Sequence, residues 1–315
     1  MEKNINKDLA NKVIKKINLR KLKIGIVGLG FVGLPLAIHF SQKGFNVCGY
    51  DKDQNKIKNL KKEISYISSV NKKRLKNFFK NKNTVTSNSS ELFKSDAIII
   101  CLPTPLKKNS KKPDLSFIIN FINKNKKKIN KGHVISLEST VYPGFTELLT
   151  SKLSRKNLTI GKDFFVIHSP EREDPGRTKH PFHKIPKVCS GMTSNCLSIG
   201  KSLYSKIVDK VVIASTTRSA EITKLLENIY RSVNIGMINE FKIICDKMKI
   251  NIFEIINNAA TKPFGFTKFL PGPGIGGHCI PIDPYYLSWA SKKSGYTPKF
   301  IKVAGEINTL IPKWI

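Results

Sequence analysis

Short apolar runs alternate with longer segments of helical periodicity as far as Ala214. The runs are rich in β-branched residues and end at glycine or a polar residue, which is typical of buried parallel strands. The predicted strands are residues 22–27, 46–50, 97–102, 133–137, 164–168 and 211–214. Because strand and helix alternate, the pattern predicts right-handed βαβ units and an α/β fold with a doubly wound parallel sheet.

The pattern changes from Ser219 onward, where apolar residues recur at helical spacing through residues 220–245 and 251–260. We therefore predict a basic N-terminal extension at 1–20, a sheet domain at 21–205 and an all-helical second domain at 206–315. The amphipathic segment 300–315 has neither a glycine cap nor a polar tail, from which we expect the natural chain to continue.

Composition excludes a disordered or fibrous protein, because 40% of the 315 residues are apolar. The formal charge is +33, which suggests nucleic acid or phosphorylated small molecules as partners. We favour solvated lysine-rich faces, since the lysines are mixed with asparagine and isoleucine and no groove-reading motif accompanies them. No nucleic-acid partner is therefore predicted.

The six cysteines are widely spaced and none forms a C-x-x-C pair, which favours a reducing, cytoplasmic location. The first twenty residues are polar and basic, and eighteen apolar residues never run together. We expect no membrane partner.

Glycines spaced as G-x-G-x-x-G follow the first predicted strand, at Gly28, Gly30 and Gly33, and a helix begins directly after them. The first glycine permits a tight turn, the second lets a pyrophosphate approach the backbone, and the third lets helix and strand pack closely. Asp51 ends the next strand. There its carboxylate would accept hydrogen bonds from the adenosine ribose hydroxyls and repel a 2′-phosphate, which favours NAD over NADP. The alternative is a tight turn without a ligand. The predicted Rossmann cofactor site also includes Phe31, Val32, Thr104 and Thr140.

A second stretch with the same glycine spacing, residues 272–277, follows no buried strand and opens no helix. We interpret it as a turned loop that presents Cys279 shortly before a helix capped by Asp283. A helix start and nearby lysines favour the thiolate of Cys279, although a buried structural cysteine is the more common outcome for this residue type.

Other candidate side chains lie on one helix face and at strand ends. Lys224 and Asn228 are four residues apart on a predicted helix, although an ordinary solvated face would show the same spacing. Thr104, Thr140 and Glu171 each follow a predicted strand, at the edge where doubly wound folds keep their sites. No metal site is predicted, because the two histidines at 180 and 183 lack further ligands at suitable spacing.

Long segments of residues 21–315 resemble the nucleotide-sugar 6-dehydrogenases, the UDP-glucose and GDP-mannose dehydrogenases, and most closely the bacterial UDP-N-acetylglucosamine 6-dehydrogenases of surface polysaccharide synthesis. The segments are GLGFVGLPLA, CLPTPL, SLESTVYPG, SPEREDPG, TKLLENIYRSVNIGMINE, ATKPFGFT and PGPGIGGHCIPIDP. The resemblance implies two successive NAD-dependent oxidations of one carbon through a covalent cysteine intermediate, and a homodimer formed through the helical domain.

Carried over position by position, Cys279 resembles the nucleophile, and Lys224 and Asn228 resemble the pair that stabilises the oxyanion. Asp283 resembles the carboxylate that assists proton movement. The resemblance assigns the attacking water and its base to Thr140 and Glu171. The substrate-binding residues that it implies are Glu171, Lys224, Asn228, Phe269 and Gly276.

Two features depart from the family pattern. Ile282 and the pair Arg172-Glu173 differ from the UDP-glucose branch and favour an N-acetylated sugar, with UDP-N-acetylmannosamine and UDP-glucose as the alternatives. The chain also ends where relatives continue into a third domain that grips UDP, so the resemblance implies a missing UDP-binding domain. A non-catalytic NAD-binding module stays open as a further alternative.

Overall fold

The computed structural model describes residues 2–108, 110–172, 181–277 and 280–315. The chain folds into two compact units. The sheet unit comprises Met1–Thr104 and Asp114–Glu221, and the helical unit comprises Pro105–Pro113 and Ile222–Ile315. The division therefore falls inside one long helix, and the predicted domain boundaries stay predictions.

Eight strands form one sheet in the order β3-β2-β1-β4-β5-β6-β7-β8. Their bounds are β1 Ile24–Val27, β2 Val47–Tyr50, β3 Thr84–Thr86, β4 Ala97–Ile100, β5 Val134–Leu137, β6 Phe165–His168, β7 Lys187–Gly191 and β8 Val211–Ile213. All neighbours are parallel except β6 and β7, which pair antiparallel. The first six strands follow the doubly wound Rossmann order, which confirms the predicted fold class.

Helices and short loops connect the strands of the sheet unit. Their bounds are α1 Glu2–Asn18, α2 Gly33–Gln42, α3 Gln54–Lys61, α4 Lys72–Lys80, α5 Ser89–Leu92, α6 Ser116–Asn125, α7 Phe145–Leu153 and α8 Ser194–Tyr204. The segment predicted as a basic extension folds as α1, whose Ala10, Val13 and Ile17 are buried in the same apolar cluster as Ile199 and Leu203 of α8. Burying one apolar face against the sheet unit gives this lysine-rich helix its stability.

The helical unit follows along the chain. α9 extends over Thr217–Lys247, across the division between the units, and is followed by α10 Ile252–Ala259, α11 Asp283–Lys293 and α12 Lys299–Trp314. The core of this unit is formed by Ile238, Cys245, Ile252 and Ile256. α11 begins at Asp283 itself with Ile282 in the capping position, one residue earlier than predicted. Within the described ranges, no helix is both long and apolar enough to cross a membrane.

The edge of the sheet at which β1, β4, β5 and β6 end is where the predicted site residues of the sheet unit lie. The backbone continues the sheet pattern past the strand ends, since Glu138 N donates to Ile100 O at 3.0 Å and Ser169 N donates to Leu137 O at 3.0 Å. Because β7 runs antiparallel to β6, its first residue, Lys187, lies at this same edge. One edge therefore collects side chains from four parallel strands and from the start of one antiparallel strand.

Candidate active site

The glycine turn after β1 has the geometry that a dinucleotide requires. Gly28 has φ +90°, and a Cβ there would lie 2.7 Å from Cys101 O. A Cβ at Gly33 would lie 1.9 Å from Gly28 O, so close packing of turn and helix excludes any side chain. At Gly30, by contrast, a Cβ would have nothing within 4 Å. The open space at the middle glycine is the place where a pyrophosphate approaches the backbone.

At the start of α2, Leu34 N donates to Gly30 O at 3.1 Å, and no side chain caps the backbone donors that precede it. Val32 occupies the N-cap position and supplies no side-chain hydrogen bond, and Phe31 beside it is 64% exposed. An uncapped helix N-terminus with positive potential is suited to a phosphate anion. The turn and the helix start therefore fit the pyrophosphate of NAD.

Asp51 lies directly after β2 and faces the glycine turn. Its Oδ2 accepts a hydrogen bond from Leu29 N at 3.0 Å, and its Oδ1 accepts one from Asp53 N at 3.0 Å. Lys56 Nζ lies 3.4 Å from Oδ2. A carboxylate has about four acceptor positions, so these contacts fix the side chain and leave capacity for ribose hydroxyls.

Thr104, Thr140 and Glu171 follow β4, β5 and β6 at the common edge of the sheet. The loops are tied together, because Ser139 Oγ donates to Leu102 O at 2.7 Å and Glu171 N donates to Glu138 O at 3.4 Å. The structure thus places three residues that are far apart in sequence on one edge. Their catalytic and binding roles stay predictions.

A buried ionic cluster that the sequence did not predict lies behind Glu171. Lys187 Nζ is 2.6 Å from Glu138 Oε2 and 3.1 Å from Glu171 Oε2. Tyr204 Oη donates to Glu138 Oε1 at 2.5 Å, and Ser136 Oγ lies 2.7 Å from Tyr204 Oη. These contacts provide hydrogen-bond partners for charges that could not otherwise remain in the interior.

Burial and the charge of the ion-pair partner shift the pKa values of Glu138 and Lys187 in opposite directions. Burial raises the pKa of Glu138, and Glu171 raises it further, whereas Lys187 lowers it. Burial alone would lower the pKa of Lys187, but the two carboxylates outweigh burial and raise it. Lys187 is therefore a permanent cation beside the predicted base.

The helical unit brings two predicted catalytic residues together across 55 positions of sequence. Asn228 Nδ2 on α9 donates to Asp283 Oδ2 at the start of α11, and both side chains are buried, at 4% exposure each. Lys224, one helical turn before Asn228, is half-buried. Asn228 is therefore buried and does not belong to a solvated helix face, which was the alternative for the spacing of Lys224 and Asn228.

The glycine-rich loop is anchored on the side that precedes Cys279. Gly272 N donates to Asn239 Oδ1 at 3.0 Å, and Asn239 Nδ2 donates to Asn308 Oδ1 at 3.2 Å. Gly274 has φ +99°, and a Cβ there would lie 2.9 Å from Asn308 O.

The other predicted residues of this region differ in their surroundings. Phe269 packs against Tyr230, with ring centroids 5.9 Å apart. Gly276 is exposed, and a Cβ there would meet nothing within 4 Å. Cys279 and His278 lie outside the described residues, so the position of the predicted nucleophile stays a prediction.

The described cysteines are free thiols, and none is exposed. Burial raises the pKa of Cys48 and Cys101, and raises that of Cys189 to about 12. A thiol with a raised pKa is a poor nucleophile at neutral pH. Structural roles therefore suit these three cysteines. The same described residues contain no group of three histidine, cysteine, aspartate or glutamate side chains that could hold a metal.

A doubly wound sheet, a glycine turn that excludes side chains at two positions and opens at the third, and an acidic residue after β2 define the dinucleotide-binding dehydrogenase class. Family comparison agrees. The family described as UDP-glucose/GDP-mannose dehydrogenase, NAD binding domain, matches residues 22–208, and its central domain matches residues 218–310. The chain belongs to the UDP-glucose/GDP-mannose dehydrogenase family, whose cofactor is NAD.

Similar proteins include Protein CapL of Staphylococcus aureus, 41% identical over 93% of this chain and 68% of that protein. The UDP-N-acetyl-D-glucosamine 6-dehydrogenase of Pseudomonas aeruginosa is 37% identical over 92% of this chain and 68% of its own length. Among solved structures, the UDP-D-ManNAc dehydrogenase of Pyrococcus horikoshii aligns with a TM-score of 0.87 at 33% identity, over 93% of this chain and 69% of that one. The predicted resemblance is thereby confirmed at the level of the family.

Proposed function

We propose that the protein oxidises C6 of UDP-N-acetylglucosamine from alcohol to carboxylate, with two NAD and one water consumed for each sugar. The observation that carries the proposal is the buried Asn228–Asp283 pair, which joins two predicted catalytic residues in one unit. The glycine turn after β1 in the sheet unit supports NAD as the cofactor, because it leaves open space at Gly30 for the pyrophosphate. NAD, when bound, accepts the hydride that the carbon loses in each oxidation.

In the first oxidation the C6 alcohol loses one hydride and releases one proton to solvent, which leaves an aldehyde. The thiolate of Cys279 then adds to the aldehyde carbon and forms a thiohemiacetal, because an aldehyde carbon gives up a hydride readily only after a nucleophile has added. Lys224 and Asn228 stabilise the oxyanion, and one such donor contributes about 3–4 kcal/mol. Loss of the second hydride converts the thiohemiacetal into a thioester.

Hydrolysis completes the reaction. Glu171 removes a proton from a water held by Thr140, the resulting hydroxide adds to the acyl carbon, and the carbon–sulfur bond breaks. The thiolate leaves as the carboxylic acid forms, and this acid and the protonated Glu171 both release their protons to solvent at neutral pH. Asn228 holds Asp283 so that its carboxylate assists proton movement near the thiol.

The sugar is proposed from the curated relatives and from two residues. One relative is named a UDP-N-acetyl-D-glucosamine 6-dehydrogenase, and another, from Pyrococcus horikoshii, a UDP-N-acetyl-D-mannosamine dehydrogenase. Ile282 and Arg172 favour the N-acetylated branch over UDP-glucose. We propose the glucosamine epimer, with a cytoplasmic role in the synthesis of surface polysaccharide precursors.

A homodimer is proposed through an exposed apolar face of α9, here called the α9 stripe. It consists of Leu226, Tyr230, Met237, Phe241 and Ile244 on the helix and continues at Met248, directly after the helix ends; these side chains are 43–63% exposed. Tyr230, Met237 and Ile244 are seven residues apart, as are Phe241 and Met248. Two interleaved seven-residue repeats are the pattern of helices that pack side by side. A second copy of the same helix satisfies this pattern.

The purified full-length protein is tested with UDP-N-acetylglucosamine, UDP-N-acetylmannosamine and UDP-glucose at equal concentration. We expect the highest kcat/KM for the first sugar and two NADH for each sugar consumed. Cys279→Ala abolishes turnover, whereas Cys245→Ala, in the core of the helical unit, retains it. NAD binding without turnover of any of the three sugars would favour the non-catalytic module, and full turnover by Cys279→Ala would refute the mechanism.

A further inference from the structure

The buried cluster behind Glu171 contains three members to which the proposed reaction gives no role: Lys187, Glu138 and Tyr204. The Lys187 side chain is 3% exposed and that of Glu138 is 0% exposed. Glu171 is the outermost charge, with its side chain 12% exposed. A fully buried lysine is rare, and it persists only when its ammonium is paired.

Geometry makes Lys187 the link between the two carboxylates. Its Nζ contacts one oxygen of each, Glu138 Oε2 at 2.6 Å and Glu171 Oε2 at 3.1 Å. The other oxygen of Glu138 accepts from Tyr204, and the other oxygen of Glu171 accepts from Arg172 N at 2.7 Å. Glu138 is thus held entirely by interior groups, and through Lys187 it holds one oxygen of Glu171.

We propose that Lys187 is a positioning residue for the base of thioester hydrolysis: it fixes the carboxylate of Glu171 at the sheet edge in its ionised form, with Glu138 as the buried counter-charge that holds the ammonium in place. The inference rests on the proposed function, because it assumes that Glu171 is the base. Removing the ammonium would leave two buried carboxylates with no cation between them, and one of them would take up a proton.

Four other titratable groups among the described residues face the cluster or lie beside it. Cys101 at the end of β4 and Cys189 on β7 are thiols whose pKa burial raises, and burial lowers the pKa of His168 on β6 to about 3. On α2, burial lowers the pKa of His39 to about 4. At neutral pH all four are uncharged.

Two further groups complete the surroundings. Burial raises the pKa of Tyr204 on α8, so its hydroxyl stays protonated. Arg172, next to Glu171, donates from Nη1 to Pro186 O at 2.7 Å. Within the described part of the chain, Lys187 pairs with Glu171 from inside the cluster.

The test separates hydrolysis from the two oxidations. We expect stopped-flow mixing of enzyme, NAD and UDP-N-acetylglucosamine to resolve a rapid phase of two NADH per site and a steady state limited by hydrolysis. The charge-balanced double variant Lys187→Met/Glu138→Gln removes one positive and one negative charge together, which reduces the risk of unfolding. Lys187→Arg is the conservative variant, Glu171→Gln the reference, and Lys184→Met the control, because Lys184 is exposed and pairs with Asp209.

We expect the double variant to keep the wild-type rapid phase and to lose about a hundredfold in the steady-state rate, the typical effect of a misplaced catalytic group. The acid limb of its steady-state pH profile moves to higher pH, because the carboxylate has lost its cation. Lys187→Arg stays within a few fold of wild type, since a guanidinium also bridges two carboxylates. Lys184→Met matches wild type.

Other outcomes overturn the inference. If the double variant keeps the wild-type steady-state rate while Glu171→Gln loses it, Lys187 does not position the base. If both phases fall together and Lys187→Arg restores neither, the cluster is only structural. If Glu171→Gln itself hydrolyses the thioester at the wild-type rate, the proposed function has the wrong base, and the inference is refuted together with it.

Discussion

Three glycines of one sequence motif have different structural roles in the fold. At Gly33 a side chain would collide with a backbone oxygen of the turn, whereas at Gly30 it would point into open space. The sequence motif alone does not separate these roles, because it records only that glycine occurs. The space around each Cβ separates a glycine needed for folding from one needed for the ligand.

A matched pair of substitutions tests that distinction. Gly33→Ala places a methyl group where the nearest backbone atom is 1.9 Å away, so it lowers the free energy of unfolding by about 1–3 kcal/mol or prevents folding. Gly30→Ala leaves the thermal midpoint unchanged and weakens NAD binding about tenfold, or 1.4 kcal/mol. Calorimetric binding and thermal melts on both variants check this, and equal stability of the two would contradict it.

The burial of His39 on α2 predicts that the free energy of unfolding decreases in acid. Its ring stacks on Phe182 with centroids 4.0 Å apart, and burial, with the charge of Arg74, lowers its pKa to about 4. The folded state therefore binds this proton less readily than the unfolded chain, whose histidine titrates near pH 6.5. The stabilisation is fully present above about pH 6.5 and is lost as the pH falls toward 4.

His39→Phe keeps a ring for stacking and removes the titration. Between pH 8 and pH 5 we expect the wild type to lose about 2 kcal/mol more stability than this variant. His183→Gln, at an exposed position, changes the dependence less than His39→Phe does, because burial outweighs the charge of His183 in lowering the pKa of His39. Denaturant unfolding at the two pH values measures both, and equal losses in wild type and His39→Phe would contradict the assignment.

At the scale of elements, α7 depends on a carboxylate from α9. Glu221 accepts hydrogen bonds from Gly144 N at 2.6 Å and from Thr146 N and Oγ1 at 2.8 and 2.7 Å. The two backbone N–H groups are among those that have no partner within the helix at the N-terminus of α7, and a buried carboxylate supplies both a hydrogen-bond acceptor and a negative charge there.

Glu221→Gln removes the charge and replaces one acceptor oxygen by a donor, so we expect a loss of about 1–3 kcal/mol in the free energy of unfolding. Glu147→Gln breaks an exposed ion pair with Arg218 instead and costs less than about 1 kcal/mol. Denaturant unfolding of both variants provides the comparison, and an equal effect of the two would show that Glu221 does not hold α7.

The sequence predicted the central parallel strands and the helices of the second unit, because their apolar patterns are strong and local. It did not predict β3 and β7. β3 has three residues, too few for a period, and β7 begins with Lys187, whose burial depends on two carboxylates distant in sequence. The same cause hid the ionic cluster, since no local pattern indicates that Lys187 pairs with Glu138. Asp51, Thr140, Glu171, Lys224 and Asn228 were found by motif, and their roles stay predictions.

At the scale of the whole molecule, the exposed α9 stripe predicts association of two chains. Phe241→Glu places a charge in the middle of the apolar face, so the sedimentation coefficient should fall from that of a dimer to that of a monomer. Glu240→Gln, at the adjacent exposed position, should leave the dimer intact. A monomeric wild type, or a Phe241→Glu variant that remains dimeric, would contradict a dimer formed through this face.

The central claim is that the second oxidation takes place while the sugar is attached to Cys279. The most direct measurement is the mass of the peptide that contains Cys279, after Glu171→Gln enzyme has been mixed with NAD and UDP-N-acetylglucosamine and quenched in acid. The account predicts an added mass equal to the sugar nucleotide acyl group, present only when both NAD and sugar are supplied. An unmodified Cys279 peptide in enzyme that has released two NADH per site would contradict it.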